Sequence, residues 1–233
     1  HFVAGWCPAL LDEPPARDEQ RLQALGRGLA TLHTESADSF EETGLLRVDA
    51  EGFEVTANAR WSDTLLDLLR RREQFLDTVG YGHLAREAMT VVRANRPVLD
   101  AVDDPVLVHG NYFAEHVATA ADGEVQAVID FEHALVGSPE WDYCRTVAPL
   151  FGQNADHDVP EHRFREAYES VRPLPAGFDD RRSLYELVNA VSYLRSLHLQ
   201  RGDRDDPHAV ARRARGLAMW LTETLAALDG SER

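Results

Sequence analysis

The chain has 233 residues, of which 44% are hydrophobic, so it is long enough to fold around a sizeable core. Its 40 acidic residues outnumber its 24 basic residues, which gives a net charge of −16, and every basic residue is arginine. The absence of lysine excludes a lysine Schiff base and a phosphate-gripping lysine within these residues. The acidic balance also argues against nucleic acid as a partner, because neutralising phosphates requires a basic face.

Helical periodicity dominates the chain before residue 100. Apolar residues recur there at spacings of three and four, the period of one helical face, and one stretch alternates like a hairpin instead. Ser62 is expected to cap the second helix, and Pro97 to stop the third. We therefore predict helices over 17–34, 62–80 and 84–95, with a hairpin over 45–55 whose turn lies at 49–52.

The middle of the chain has a different character. Three short apolar runs there are typical of strands, and Asp122-Gly123 is expected to turn between the last two. From Trp141 onward the helical period returns. This order predicts an α+β domain that is mostly helical with a small central β-hairpin. The predicted strands are 106–108, 117–120 and 125–129, and the later helices are 161–171, 182–199 and 209–228.

Composition also gives expectations about the protein's origin. Acidic excess without lysine is typical of a cytoplasm at molar salt, where repulsion among surface carboxylates is screened, so we expect a halophilic and haloarchaeal source. The alternative is an acidic protein from a GC-rich genome in which arginine replaced lysine. Cys7 and Cys144 form no C-x-x-C pair, which favours a reducing cytoplasm. No apolar run reaches bilayer length and no signal peptide is recognisable, so no membrane partner is expected.

Two unusually polar loops follow predicted strands. Loops after buried strands often carry catalytic side chains, and only one hairpin separates these two, so their side chains can converge. Carboxylate and amide oxygens suit Mg²⁺, whereas clustered imidazoles suit Zn²⁺ or Mn²⁺. Any one of these residues alone could merely satisfy buried backbone groups, but six together favour a site. The six are His109, Asn111, His116, Asp130, Glu132 and His133.

An ordered series of motifs resembles one family. His109-Gly110-Asn111 is followed five residues after the asparagine by His116, then by the predicted hairpin, by Ile129-Asp130-Phe131-Glu132 and by Gly137-Ser138-Pro139-Glu140-Trp141-Asp142. This series resembles the aminoglycoside phosphotransferase and choline kinase-like family, whose pattern is His-Gly-Asp-x4-Asn, a hairpin, Ile-Asp-aromatic and Gly-Asp-Pro-x-x-Asp. The helix ending Leu32-His33 also resembles the family's segment just after the hinge between lobes.

The resemblance implies a protein-kinase-like C-terminal lobe that transfers the γ-phosphoryl group of ATP to a hydroxyl of a small molecule. In that lobe Asp130 and His116 would hold the Mg²⁺ of the nucleotide. Asn111 would stand in the catalytic loop and orient the acceptor, and His109 and Asp142 would fix that loop. Weaker candidates for contact with the acceptor, by position, are Glu132, His133, Tyr185 and Glu186.

Three features depart from the family's pattern. Asn111 stands at the position of the family's catalytic aspartate, and an amide cannot accept the hydroxyl proton. General-base catalysis usually raises the reaction rate by a factor of roughly 10² to 10⁴. His116 stands where most members have a metal-ligating asparagine, although macrolide phosphotransferases look similar here. No Gly-rich loop or lysine is present, so we expect that the nucleotide-binding N-terminal lobe lies upstream, and that a chain starting at His1 is a fragment.

Residues 1–233 are thus expected to form one C-terminal lobe. Its predicted sections are a hinge at 1–16, helices with a hairpin over 17–100, catalytic and metal loops over 105–142, and a helical substrate-side subdomain over 143–233. Two alternatives remain open. One is a pseudokinase or ligand-binding module in which Asn111 marks lost catalysis. The other is a metal-dependent hydrolase that needs no ATP, built on His109, His116, Asp130 and His133.

Overall fold

The computed structural model describes residues 19–49, 52–101, 105–120, 124–151, 159–200 and 207–230. It divides the chain into two compact units, the first made of His1–Ala57 with Asp104–Ala176, and the second of Asn58–Asp103 with Gly177–Arg233. This division cuts across the predicted sections, because each unit combines segments that are distant in the sequence. The predicted hinge over 1–16, the hairpin turn residues 50–51 and the turn at Asp122-Gly123 lie outside the described residues.

Helices make up most of the described chain, as the sequence predicts, and the strands are short. In chain order the elements are α1 (Glu19–Ser36), β1 (Thr43–Asp49), β2 (Gly52–Asn58), α2 (Trp61–Thr78), α3 (Gly82–Ala94), α4 (Arg96–Leu99), β3 (Val106–Val108), β4 (Val117–Thr119), β5 (Val125–Val128), β6 (Leu135–Gly137), α5 (Pro139–Phe151), α6 (Glu161–Glu169), α7 (Phe178–Gln200) and α8 (Pro207–Gly230). No helix among these residues is long and apolar enough to cross a bilayer.

The first unit contains two antiparallel sheets, of which one includes the strands of the hairpin predicted over 45–55 and the other is the predicted central hairpin. One sheet has four strands in the order β2-β1-β6-β3, and β6 pairs Leu135 with both Leu45 of β1 and Val108 of β3. The other sheet is the expected β4-β5 hairpin, in which Val117 pairs with Val128. Strand β6 was missed because three buried residues show no periodicity. Strand β3 therefore belongs with β1 and β6, apart from the hairpin.

Helix α1 forms much of the core of the first unit. Three of its leucines recur on one face and are fully buried, and the helix packs against α6. Gly26 lies at this contact, where an added Cβ would come 2.7 Å from the carbonyl oxygen of Phe164. The glycine thus permits the two helices to approach closely. The buried leucines of the helix are Leu22, Leu25 and Leu29.

The second unit is helical, and one of its caps differs from our prediction. Helix α2 packs against α3 and α7, and α8 packs against α3 and α7. Ser62 was expected to cap α2, but it lies inside the helix, which begins at Trp61. The backbone N–H of Ser62 donates to Oδ1 of Asp100 at 2.8 Å, and its hydroxyl donates to Oδ2 at 3.0 Å. The carboxylate of Asp100 therefore supplies the acceptor at this helix end.

Close backbone contact between β1 and β2 gives a stability prediction. A Cβ at Gly44 would collide with the carbonyl oxygen of Thr56. We expect Gly44→Ala to lower the free energy of unfolding by about 1–3 kcal/mol, measured by urea denaturation followed by circular dichroism. Gly216→Ala on α8, where an added Cβ meets nothing, is the control and should raise stability by about 0.5–1 kcal/mol. Equal stabilities of the two variants would contradict this packing.

Candidate functional site

The first polar loop begins where β3 ends. Gly110 has a φ of +72°, and an added Cβ there would collide with the carbonyl oxygen of His133 in the second polar loop. Only glycine combines this left-handed backbone with so close an approach. The residue therefore brings the two loops together, as their polar composition led us to expect.

The second polar loop turns at Asp130. Asp130 has φ +66° and ψ +55°, and it is the one residue other than glycine with positive φ among the described residues. A left-handed backbone costs an ordinary residue about 1–2 kcal/mol, although aspartate tolerates it better than most. Such outliers concentrate at functional sites. Just before this turn, the N–H of Ile129 donates to the carbonyl oxygen of His116 at 2.9 Å, which ties the second loop to the first.

Three predicted site residues meet at the Asp130 carboxylate. Its Oδ2 accepts a hydrogen bond from Nδ2 of Asn111 at 3.1 Å and lies 3.3 Å from Nε2 of His116. The side chains of His116 and Asp130 are 18% and 34% exposed, so both remain accessible from solvent. We call Asn111, His116 and Asp130 the Asp130 cluster.

The orientation of the His116 ring follows from its hydrogen bond. Nδ1 lies 2.8 Å from the backbone carbonyl oxygen of Asn111, and a carbonyl can only accept, so Nδ1 carries the hydrogen. In the neutral ring, Nε2 then presents a lone pair to Oδ2 of Asp130. The rings of His109 and Phe113 lie at centroid distances of 6.4 and 5.9 Å. Nε2 of His116 and Oδ2 of Asp130 are therefore the two atoms between which this pair can hold a proton or a cation.

His109 is held by both ring nitrogens. Its Nε2 lies 2.9 Å from the carbonyl oxygen of Ile129 and donates to it, while Nδ1 accepts the N–H of Asn111 at 3.1 Å. Burial lowers the pKa of His109 below its usual value, which favours the neutral ring that these two bonds require. Phe131 packs on the ring at a centroid distance of 4.4 Å. The imidazole therefore links the two loops, and neither nitrogen is turned toward a reacting group.

The backbone of the first loop is held by Asp142 in the first turn of α5. The fully buried carboxylate accepts the N–H of His109 at Oδ2, at 2.8 Å, and the N–H of Gly110 at Oδ1, at 3.0 Å. Nε of Arg145 donates to the carbonyl oxygen of Gly110. Helix α5 thus holds the loop through both N–H and C=O groups.

Sequence reasoning gave no role to His33, which completes this support. His33 is buried in α1, its Nε2 donates to Oδ2 of Asp142 at 3.2 Å, and its Nδ1 lies 2.8 Å from the hydroxyl of Tyr168. Burial alone raises the pKa of Asp142, but hydrogen bonding and attraction from His33, together with His109, outweigh it, so the pKa lies below the usual value. The carboxylate therefore stays ionised. The only signal for His33 was the Leu32-His33 motif.

The weaker acceptor candidates fall in both units. Glu132 and His133 follow Asp130 directly, and Oε1 of Glu132 lies 3.4 Å from Nε2 of His133. Tyr185 and Glu186 lie on α7 in the second unit. There Tyr185 is fully buried, and Glu186 accepts a hydrogen bond from Nε of Arg182 at 2.7 Å.

The described part of the chain forms no hydrolase centre with three or four protein ligands. Among the residues that the structure describes, no group of three or more His, Cys, Asp or Glu side chains could hold a metal ion. Both nitrogens of His109 are engaged by the backbone, and His133 lies against Glu132. Zinc hydrolases need three protein ligands, and here only His116 and Asp130 converge.

Comparison with known proteins shows the family of the chain. A model of the phosphotransferase enzyme family (APH) matches residues 5–187, well over half of the sequence. The chain belongs to this family, which agrees with the motifs of the two loops. No curated protein matches the chain.

Solved structures show the same fold at low identity. A protein proposed to be a fructosamine-3-kinase from Thermobifida fusca aligns with a TM-score of 0.60 and 21% identity over 93% of this chain and 66% of that one. Choline kinase LicA from Streptococcus pneumoniae aligns with a TM-score of 0.56 and 10% identity, over 90% of this chain and 64% of that one. The aminoglycoside phosphotransferase APH(4)-Ia aligns with a TM-score of 0.61 and 14% identity, over 92% of this chain and 68% of that one. The chain thus spans slightly less than two thirds of the first two structures. The expected kinase-like fold is confirmed.

The lowered pKa of Asp142 predicts how stability changes with pH. A carboxyl whose pKa is lower in the folded state stabilises the protein above its unfolded pKa of about 4, and this contribution disappears as the pH falls through the folded pKa. We expect Asp142→Asn to lower the free energy of unfolding by roughly 3 kcal/mol between pH 5 and 8. The difference from the unmodified protein should shrink below about pH 4, as urea titrations at each pH would show.

The control for this prediction is Asp38→Asn, which changes an exposed aspartate of the same unit. It should alter stability by less than about 0.5 kcal/mol at every pH. A difference for Asp142→Asn that stayed constant down to pH 2 would contradict the assignment of an ionised Asp142.

Proposed function

We propose that this chain is the catalytic part of a phosphotransferase that moves the γ-phosphoryl group of ATP to a hydroxyl of a small molecule. The observation that carries the proposal is the Asp130 cluster, held on two loops that Asp142 and His109 fix, in a chain of the phosphotransferase enzyme family. Phosphoryl transfer depends mainly on positioning and charge neutralisation. These loops provide both functions.

The proposed cofactors are ATP and a divalent cation such as Mg²⁺. The donor atoms fit such a cation, because Oδ2 of Asp130 and Nε2 of His116 are 3.3 Å apart and both side chains are accessible. Two protein ligands leave the remaining positions to phosphate oxygens and water, as is usual for a nucleotide-bound cation. Nucleotide use is supported by relatives of similar fold: LicA has been solved in complex with AMP, and APH(2'')-Ib bound to ADP. When bound, the cation neutralises phosphate charge.

Asn111 determines what the first loop does to the acceptor. Its side-chain N–H donates to Asp130, which orients that carboxylate. An amide oxygen can accept a hydrogen bond from an acceptor hydroxyl, but it does not take the proton. We therefore propose weak activity, slower by roughly 10² to 10⁴ than with a carboxylate at this position. The competing function is a pseudokinase or ligand-binding module, favoured by the same residue.

Acceptor binding is proposed to involve the exposed side of the second loop. The Glu132 side chain is 65% exposed and follows Asp130 directly, so it and the neighbouring His133 can reach a bound small molecule. Tyr185 is fully buried, which favours a packing role for that tyrosine. The acidic, lysine-free composition supports a haloarchaeal cytoplasm as the source, so assays belong at high salt.

Replacing the amide by a carboxylate tests the proposed reaction. In the protein as its source makes it, with the proposed nucleotide-binding lobe, we expect Asn111→Asp to raise ATP-dependent phosphoryl transfer to a panel of hydroxylated small molecules by about 10² to 10⁴. A carboxylate at this position can accept the hydroxyl proton. ADP release and acceptor mass report the rate. Adding Asp130→Ala to this variant should abolish the gain, while Glu169→Gln on the exposed face of α6 should change nothing.

Retained nucleotide binding without any gain in rate would overturn the phosphotransferase function and favour the binding module.

The proposal also includes a nucleotide-binding lobe on the N-terminal side of these residues. It is supported by the absence of lysine and by the fraction of each solved relative that the chain spans. We expect the protein as its source makes it to exceed 26.1 kDa by about 10 kDa, the size of a small domain, in an intact-mass measurement. A natural mass of 26.1 kDa would contradict the proposed lobe and favour a ligand-binding module as the function.

A further inference from the structure

We propose that helix α8 is a docking surface for a second copy of this chain, with a two-fold axis through Met219. The inference does not depend on the proposed function, because every residue that it uses lies in the second unit. Three features of this surface support it: exposed apolar side chains, charges placed symmetrically about Met219, and a groove beside the helix.

The solvent face of α8 carries two large apolar side chains. Met219 is 65% exposed and the neighbouring Trp220 is 39% exposed, whereas Leu221 and Leu225 on the packed face are buried. A helix that packs with one face only normally has polar residues on the other. Methionine, tryptophan and arginine are all enriched in protein–protein interfaces. The exposed face of α8 therefore has the composition of an interface.

The charge of α8 differs from that of the whole chain. Residues 207–228 contain three arginines and a single acidic residue, Glu223, in a chain of net charge −16. Two copies of so acidic a chain repel each other, and an arginine-rich helix reduces that repulsion where it forms the contact. This excess of arginine favours association through α8.

Arg215 and Glu223 are placed symmetrically about Met219. At 100° per residue, Arg215 lies about 40° to one side of Met219 and Glu223 about 40° to the other, each about 6 Å away along the helix in opposite directions. Rotating a second α8 by 180° about an axis through Met219 brings its Glu223 onto Arg215, and its Arg215 onto Glu223. Both side chains are exposed, and neither forms an ion pair within the described part of the chain. The antiparallel helix pair thus forms two ion pairs, which favour a second copy over other partners.

The same rotation supplies an occupant for the groove between α3 and α8. The groove has a volume of about 390 Å³, and its walls include Leu84 on one side and Ala218 on the other. Trp220 lies about 100° from Met219 around the helix, and Ala218 lies about 100° in the opposite direction. The two-fold axis therefore places Trp220 of each copy beside Ala218 of the other. Each copy can fill the groove of the other with an indole, a side chain that often anchors an interface.

Sedimentation equilibrium of the protein as its source makes it tests the association, at about 0.15 M salt, where ion pairs are only partly screened. We expect a reversible dimer with a dissociation constant of roughly 10–100 μM, because one helix pair forms a small interface. Arg215→Glu and Glu223→Arg should each raise this constant by about tenfold or more, because each variant places like charges opposite each other twice. The matched control is Arg60→Glu, which changes an exposed arginine before α2 and should leave the constant unchanged.

Mixing the two reversed variants tests the two-fold arrangement itself. One chain then carries two glutamates at these positions and the other carries two arginines, so both ion pairs form again between unlike chains. We expect a one-to-one dimer with a dissociation constant close to that of the unmodified protein. A monomer at every concentration up to about 1 mM, a dimer that resists both reversals, or a mixture that stays monomeric would each overturn the inference.

Oxidative cross-linking locates the axis without reversing any charge. A residue on the axis meets its own copy, so Met219→Cys should form a disulfide-linked dimer, seen by electrophoresis without reductant. Arg212→Cys, on the same exposed face, is the control, because its two copies lie about 21 Å apart along the helices and should stay unlinked. Absence of the link in Met219→Cys, or equal linking in both variants, would contradict the proposed axis.

Discussion

The ionised carboxylate of Asp142 is the group on which the arrangement of the site depends. A buried charge is costly unless every lone pair finds a donor, and here donors come from α1 through His33 and from the loop N–H groups of His109 and Gly110. Moving the loop would remove the two backbone donors and leave this buried charge with His33. The cost of that state keeps the loop in one position, and the position of the loop determines where Asn111 and His116 can lie.

The geometry of the Asp130 cluster follows from the backbone more than from its side chains. Gly110 allows the first loop to approach the second, and the left-handed turn at Asp130 aims its carboxylate back at the first. The ring of His116 is oriented by the carbonyl of Asn111, which any residue at that position would supply. The side chain at position 111 can therefore alter the chemistry of the cluster while the ring keeps its orientation.

Local sequence patterns predicted the helices and the polar loops, whereas features made by distant partners could not be read in this way. Strand β6 is defined by pairing with β1 and β3, and His33 by contact with Asp142, 109 residues away. The wrong prediction that Ser62 caps α2 has the same cause, because its partner Asp100 lies two helices further along the chain. Tyr185 became a candidate for acceptor contact from its position in the chain alone, and its burial, which position does not show, favours a packing role.

The three residues of the cluster also set its charge. Asp130 is the one carboxylate among the three residues, and the amide of Asn111 carries no charge, in a chain of net charge −16. The divalent ion proposed for this cluster would keep more of its positive charge for phosphate oxygens than it would beside two carboxylates. In the proposed phosphotransferase, an asparagine at position 111 would give up proton acceptance and keep electrostatic stabilisation, which is the larger contribution to phosphoryl transfer.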